Sequence, residues 1–241
     1  MRILIIRHGD PDYAIDGLTE KGKREVALLT ERLAGENLTA IYCSPLGRAR
    51  ATIAPTLERL GRKEQILPFL REFNAKRIRV PYEDGERECW DLLPEFVEEH
   101  PILYSPDRWR EADFLKNTEI PAEYDRVCAG LDELLAAHGY RRDGLSYRVL
   151  RPNHDTLALV CHFGVTAVLL SHLFNCSPYS VWQNAVTLPT SVTTLYTEER
   201  CEGRASFRCA GMGDLSHLFA GGEAPSFAAR FCECFADECR H

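Results

Sequence analysis

The three residues Arg7-His8-Gly9 are the ones in this chain best suited to covalent chemistry. A neutral imidazole is a competent nucleophile near pH 7, and Arg7 places a fixed positive charge beside His8. Gly9 lets a substrate or a backbone segment come close. A related pattern returns at Cys161-His162-Phe163-Gly164, and Ser44-Pro45-Leu46-Gly47-Arg48 offers a second arginine where a helix should begin. Helix N-termini attract anions through their free N–H groups and dipole, and Arg48 adds a full charge. Two histidines and two arginines facing one point make a pocket for a dianion, which phosphate fits best. Each residue has a plainer reading of its own: Arg48 and Arg50 as surface helix residues, His162 as a core histidine. It is their arrival together at strand ends and a helix start that points to a site.

Several elements must position these residues. Ile3-Leu4-Ile5-Ile6 reads as a buried strand of a parallel sheet, beginning at Arg2 and ending at the reactive triplet. His8 then faces a loop, where its imidazole contributes little packing. Thr19 is a suitable N-cap for a helix carrying Val26, Leu29 and Leu33, and Gly35 ends it. A strand follows over Leu38 to Cys43, then a helix from about Leu46 to Leu60 that Pro55 should kink or divide and Gly61 should stop. Ile66 to Leu70 reads as a short strand leading to Arg71-Glu72. A helix is expected from Tyr124 to His138, a strand from Thr156 to Cys161, an apolar helix from Val165 to Phe174, and strands over Ser191 to Thr197 and Ala205 to Cys209. Strands alternating with helices imply right-handed crossovers and a largely parallel α/β sheet. Residues 73–124 differ in kind, with many charges, two of the three tryptophans and five prolines, and read as an insertion over the sheet. One domain spanning residues 1–241 is expected.

Composition narrows the function. The chain has 241 residues, 45% of them apolar, enough for a substantial core. A net charge of -7 argues against nucleic acid or an acidic membrane as the main partner. No apolar stretch is long enough to span a bilayer, and a strand starting at Arg2 leaves no room for a signal peptide, so a cytoplasmic protein is expected. Its ten cysteines should then be free thiols, with Cys43 and Cys161 as small core residues. Cys232, Cys234, Cys239 and His241 lack the usual Cys-x2-Cys knuckle of a zinc site. An amphipathic terminal helix with some buried thiols is the expectation there, and no metal. Nothing in the sequence sets the oligomeric state.

Taken in order, Arg7-His8-Gly9, Leu18-Thr19-Glu20-Lys21-Gly22, Ser44-Pro45-Leu46-Gly47-Arg48-Ala49-Arg50-Ala51-Thr52, Leu70-Arg71-Glu72 and His162-Phe163-Gly164 resemble the motifs of the histidine phosphatase superfamily. The resemblance implies a phosphoglycerate mutase-like fold, a three-layer sandwich with a mostly parallel central sheet flanked by helices and an inserted cap region. It implies that His8 attacks phosphorus to form a phosphohistidine that water hydrolyses, with no metal or other cofactor. Arg7, Arg48 and His162 would hold the non-bridging oxygens, with Gly9 and Phe163 also bordering the substrate. Glu72 matches the position of the acid that protonates the leaving group, with Asp10, Glu83 and Glu86 as substitutes. The mutases of the family usually continue the first motif with Ser and Asn, whereas this chain reads Asp10-Pro11-Asp12-Tyr13-Ala14. Their acid is usually followed by Arg-His-Tyr-Gly, whereas Glu72 leads into Phe73-Asn74-Ala75. The expectation is therefore a phosphatase acting on a small phosphorylated molecule, ahead of a mutase-like phosphotransferase or a non-catalytic binder of phosphorylated ligands. Arg71, Lys76, Arg77 and Arg79 either meet a second anionic group of the substrate or form a solvated loop balanced by Glu83, Asp84, Glu86 and Glu88.

Overall fold

The computed structural model describes residues 1–73, 80–82, 85–237 and 239. The chain opens with β1 (Arg2–Arg7), a small hairpin of β2 (Pro11–Asp12) and β3 (Gly17–Leu18), and helix α1 (Glu20–Ala34). Next come β4 (Ala40–Cys43), α2 (Gly47–Leu60) and β5 (Gln65–Ile66), then a second hairpin of β6 (Val80–Tyr82) and β7 (Gly85–Arg87) and helix α3 (Pro94–Glu99). Helix α4 (Ile120–Ala137) leads to β8 (Tyr140–Asp143), β9 (Ser146–Val149), β10 (Thr156–Cys161), α5 (Phe163–Phe174) and α6 (Pro178–Trp182). The chain closes with β11 (Val192–Cys201), β12 (Arg204–Asp214) and α7 (Ser216–Ala220). Among the described residues no helix is long and apolar enough to cross a membrane.

Eight strands form the main sheet in the order β5-β4-β10-β1-β11-β12-β9-β8. β5, β4, β10 and β1 pair parallel, and β11, β12, β9 and β8 extend the sheet antiparallel. Strand alternation then sorts the core into two layers. Leu4 and Ile6 of β1 and Ala158 and Val160 of β10 pack with Leu29 and Leu33 of α1 and Ile53 of α2. Ile3 and Ile5, with Leu157, Leu159 and Cys161, pack on the other face with Leu131 of α4 and Val168 of α5. Helices on both faces complete the three layers.

Register fixes what meets at the sheet edge. Arg7 stands opposite Cys161, and Cys43 opposite Val160, in parallel pairing. The next residues along these strands, His8, His162 and Ser44, therefore leave the sheet side by side.

The structure corrects several expected elements. Ile66 to Leu70 is not one strand: only Gln65–Ile66 pairs, and Pro68–Leu70 forms a 3-10 turn that buries Phe69 and Leu70. α2 runs undivided through Pro55, because buried Ile53, Thr56 and Leu57 hold both sides of the proline to the core. α4 starts at Ile120 rather than Tyr124, since Pro121 suits a helix's first turn. The tail forms no terminal helix among the described residues after α7, and Cys232, Cys234 and Cys239 are exposed. Gly221, Gly222 and Pro225 interrupt that segment. Of residues 73–124, the described part gives the main sheet no strand, yet it buries Phe73, Leu103, Trp109 and Leu115 in the α4–α5 layer.

Thr19 caps α1 as expected, its Oγ1 accepting from Gly22 N at 3.0 Å and donating to Asp10 Oδ2 at 2.7 Å. Thr19→Ala should therefore cost about 1 kcal/mol in urea unfolding. An unchanged unfolding midpoint would remove the cap from the account.

Candidate active site

Where β1 ends, His8 turns into the protein rather than out to solvent: it is 1% exposed. The expected loop-facing imidazole is thus a buried one. Its backbone N–H donates to Cys161 O at 3.0 Å, and its carbonyl accepts from Thr190 N at 3.1 Å. Its Nδ1 lies 2.8 Å from Gly9 O. A carbonyl only accepts, so Nδ1 carries the proton and Nε2 keeps its lone pair. Burial and the charges of Arg7 and Arg48 push the His8 pKa from 6.5 down to about 3. His8 is therefore neutral near pH 7.

His162 lies beside it, with ring centroids 5.0 Å apart and planes tilted by 55°. Its Nε2 is 2.7 Å from Ser44 Oγ, and that hydroxyl oxygen accepts from Leu46 N at 3.2 Å. Its Nδ1 is buried with no hydrogen-bond partner among the described residues. Burial, with His8, Arg48 and Arg7 nearby, pushes the His162 pKa well below that of a free imidazole.

Arg7 follows the alternation of β1 toward the α4–α5 side. Its Nη1 donates to Thr187 O at 2.6 Å and Ala228 O at 2.9 Å, and its guanidinium carbon lies 5.9 Å from the centre of the Phe163 ring. Burial draws its pKa down, opposed by the nearby Glu72 carboxylate. Arg48 sits in the first turn of α2 and donates to Asp16 Oδ1 at 2.7 Å, while Asp16 Oδ2 accepts from Gly47 N at 2.6 Å. Asp16 thus caps the helix and aims the arginine with one carboxylate. The Nε atoms of Arg7 and Arg48 are also buried without a partner among the described residues.

Glu72 reaches across to the start of α5. Its Oε1 accepts from Phe73 N at 2.8 Å and Val165 N at 3.1 Å, and its Oε2 makes no hydrogen bond among the described residues. Burial raises its pKa above that of a free glutamate, against the pull of the two amides, Arg7 and Arg48. Gly164 makes this placement possible: a Cβ there would lie 2.8 Å from Glu72 Oε1 and 2.4 Å from Trp90 Cζ3.

The substitute acids are placed otherwise. Asp10 Oδ2 takes the Thr19 hydroxyl and Oδ1 the Ser226 hydroxyl, so its carboxylate is a clamp between the first loop and the tail. Glu86 is exposed on the β6–β7 hairpin. Glu83 lies outside the described residues, as do Lys76, Arg77, Arg79, Asp84 and His241, whereas Arg71 pairs with Glu123 at 3.5 Å. Gly9 meets the second of the two expected neighbours, a backbone segment. Its N–H donates to Thr52 Oγ1 at 2.9 Å, and a Cβ would lie 3.2 Å from Gly22 O of α1.

Sequence reasoning did not assign roles to Ser44, Thr52 or Asp16, though the first two stand inside the quoted motifs. The Thr187 and Ala228 carbonyls that hold Arg7 carry no side-chain signal at all.

Two arginines and two neutral imidazoles thus gather at the C-terminal edge of the parallel strands of an α/β scaffold, a charge arrangement suited to an oxyanion. The chain belongs to the histidine phosphatase superfamily (branch 1), whose sequence profile matches residues 3–206. It is 26% identical over 233 residues to a Schizosaccharomyces pombe protein named as a "probable phosphatase", covering 90% of this chain and 95% of that one. It is 26% identical over 157 residues to phosphoserine phosphatase 1 of Hydrogenobacter thermophilus, covering 57% of this chain and 66% of that one. The fold is shared with a variant of phosphoserine phosphatase from Entamoeba histolytica solved with phosphoserine (TM-score 0.60, 16% identity, 90% of this chain and 98% of that one). A mycobacterial glucosyl-3-phosphoglycerate phosphatase also shares it (TM-score 0.57, 16% identity, 88% of this chain and 98% of that one).

A histidine with a folded-state pKa of about 3 and an unfolded value near 6.5 binds fewer protons folded than unfolded between those limits. Its contribution to stability is complete above pH 6.5 and is lost as the pH falls toward 3. His162 and His217 shift in the same direction, while Glu72 and Glu25, raised by burial, act in the opposite one. His8→Asn should therefore flatten the fall in Tm between pH 7 and pH 4 measured by calorimetry. Equal steepness in the two proteins would contradict a neutral, buried His8.

Proposed function

We propose that this protein is a metal-independent phosphatase that hydrolyses a small phosphomonoester through a phosphohistidine on His8. The observation that carries the reading is a set of three buried nitrogens, Arg7 Nε, Arg48 Nε and His162 Nδ1, that have no partner among the described residues. An unsatisfied buried donor costs about 1–3 kcal/mol, so three around one imidazole call for an oxyanion with several acceptor oxygens. The relatives named as phosphatases support hydrolysis over transfer to a second substrate.

The chemistry follows from the placement. His8 Nε2, its lone pair free, attacks phosphorus as the bond to the ester oxygen breaks. Arg7 and Arg48 hold the non-bridging oxygens, where charge and positioning supply most of the catalysis of phosphoryl transfer. Ser44 sets the His162 tautomer: a hydroxyl donating to Nε2 leaves the imidazole proton on Nδ1, which then donates to the phosphoryl group. Glu72 gives the proton on Oε2 to the leaving alkoxide. The resulting carboxylate takes a proton from water as that water attacks the phosphohistidine, which releases inorganic phosphate and restores His8 and Glu72. The ten free cysteines suit a reducing compartment, and we place the enzyme in the cytoplasm.

Rapid quenching of the wild-type enzyme during turnover should trap acid-labile phosphate on the protein, absent from His8→Ala shown to be folded by circular dichroism. Turnover at the wild-type level in His8→Ala would end the mechanism. Activity should also persist in excess chelator. Loss on chelation, with recovery on adding one divalent metal, would overturn the metal-independent reading.

Glu72→Gln should slow alkyl phosphates about 100- to 10,000-fold more than p-nitrophenyl phosphate, whose leaving group departs without a proton. Equal slowing of both substrates would take the acid role away from Glu72.

A further inference from the structure

We propose that the cleft beside the site receives the organic part of the substrate, and that this part is an apolar, ring-bearing alcohol rather than a group with a second negative charge. The inference rests on the hydrolytic reading above and narrows its substrate.

A cavity of about 690 Å³ opens where three stretches meet: the insertion around Trp90 to Pro94, the segment after α6 from Trp182 to Val186, and the tail from Ala229 to Phe235. That volume is typical of small-molecule sites. One lining residue, Phe163, joins it to the catalytic cluster. Phe163 has the Arg7 guanidinium 5.9 Å from its ring centre and meets the Trp90 ring edge-on at 6.1 Å. Trp90 and the Glu72 carboxyl both crowd the missing Cβ of Gly164, so the proton donor and the cleft's indole border one point. An ester oxygen protonated by Glu72 thus carries its substituent into the cleft.

The lining selects the substituent. Leu93 at 38%, Phe231 at 58% and Phe235 at 106% exposure are apolar side chains that folding has left in water at this cleft. The cationic side chains in it are already matched: Arg87 pairs with Asp91 at 3.6 Å, and Arg230 with Glu233 at 2.6 Å. Among the described residues no cation there is left over for a second anion. Aromatic walls with neutralised charges favour a flat apolar body.

Non-hydrolysable phosphonates test the cleft apart from turnover. In calorimetry on the whole protein, 2-(1-naphthyl)ethylphosphonate should bind at least tenfold more tightly than ethylphosphonate, since one methylene in an apolar pocket is already worth about 10–200-fold. Leu93→Glu and Phe231→Glu should each remove most of that preference. Equal affinity for the two phosphonates, or tighter binding of 2-carboxyethylphosphonate than of the naphthyl compound, would overturn the assignment. So would a naphthyl preference untouched by both variants. Turnover of the matching phosphate esters is followed in parallel. Hydrolysis without discrimination among the phosphonates removes the cleft assignment and leaves the phosphatase reading standing. Discrimination without hydrolysis supports the cleft and removes the phosphatase reading.

Discussion

The site depends on one hydrogen bond, from His8 Nδ1–H to the carbonyl of Gly9 at 2.8 Å. It decides which nitrogen keeps a lone pair, and it does so beneath two arginines that would otherwise leave the ring's tautomer open. Burial is the largest influence keeping His8 neutral, and Arg7 and Arg48 push the same way. The same charges that disfavour a second proton on the imidazole would attract the phosphoryl group of the proposed substrate. In the proposed mechanism, nucleophile and anion pocket are consequences of one electrostatic arrangement.

Holding two guanidinium groups beside a neutral ring requires fixed partners. Arg7 is held by main-chain carbonyls from two distant segments, and Arg48 by a carboxylate that also caps its helix. The tail that supplies the Ala228 carbonyl is itself tied down at Ser226. Its N–H donates to Glu25 Oε1, whose other oxygen accepts from Asp10 N, and its hydroxyl donates to Asp10. Glu25 is a fully buried carboxyl bridging the first loop and the tail. The tail is therefore part of the wall that positions Arg7 and, further along, part of the cleft around Phe231.

Much of this was legible in the sequence where a residue's role is written in its own pattern. Apolar runs marked β1, β4 and β10, and the residues at the ends of β1 and β10 gave His8 and His162 a common edge. Thr19 and Gly61 announced the limits of their helices. What stayed hidden has a physical reason in each case. The β8–β9 hairpin carries Arg141, Asp143 and Arg148 on its outer face and Arg142 beside Tyr147 on the inner one, so its buried Tyr140 and Tyr147 did not register as strand alternation. Asp10 looked like a spare acid because nothing nearby in sequence shows that Ser226, 216 residues on, takes its carboxylate. The tail's cysteines suggested a helix with buried thiols, but its path is set by contacts to Arg7 and Glu25 rather than by local periodicity.

Nitrogen-15 NMR of the imidazoles tests the central claim most directly, because it reads protonation and tautomer at each ring nitrogen. With the His8 resonances assigned by comparison with His8→Asn, the account predicts a neutral ring at pH 5, protonated on Nδ1 and bare at Nε2. A His8 imidazolium at pH 5, or a neutral ring carrying its proton on Nε2, would contradict it.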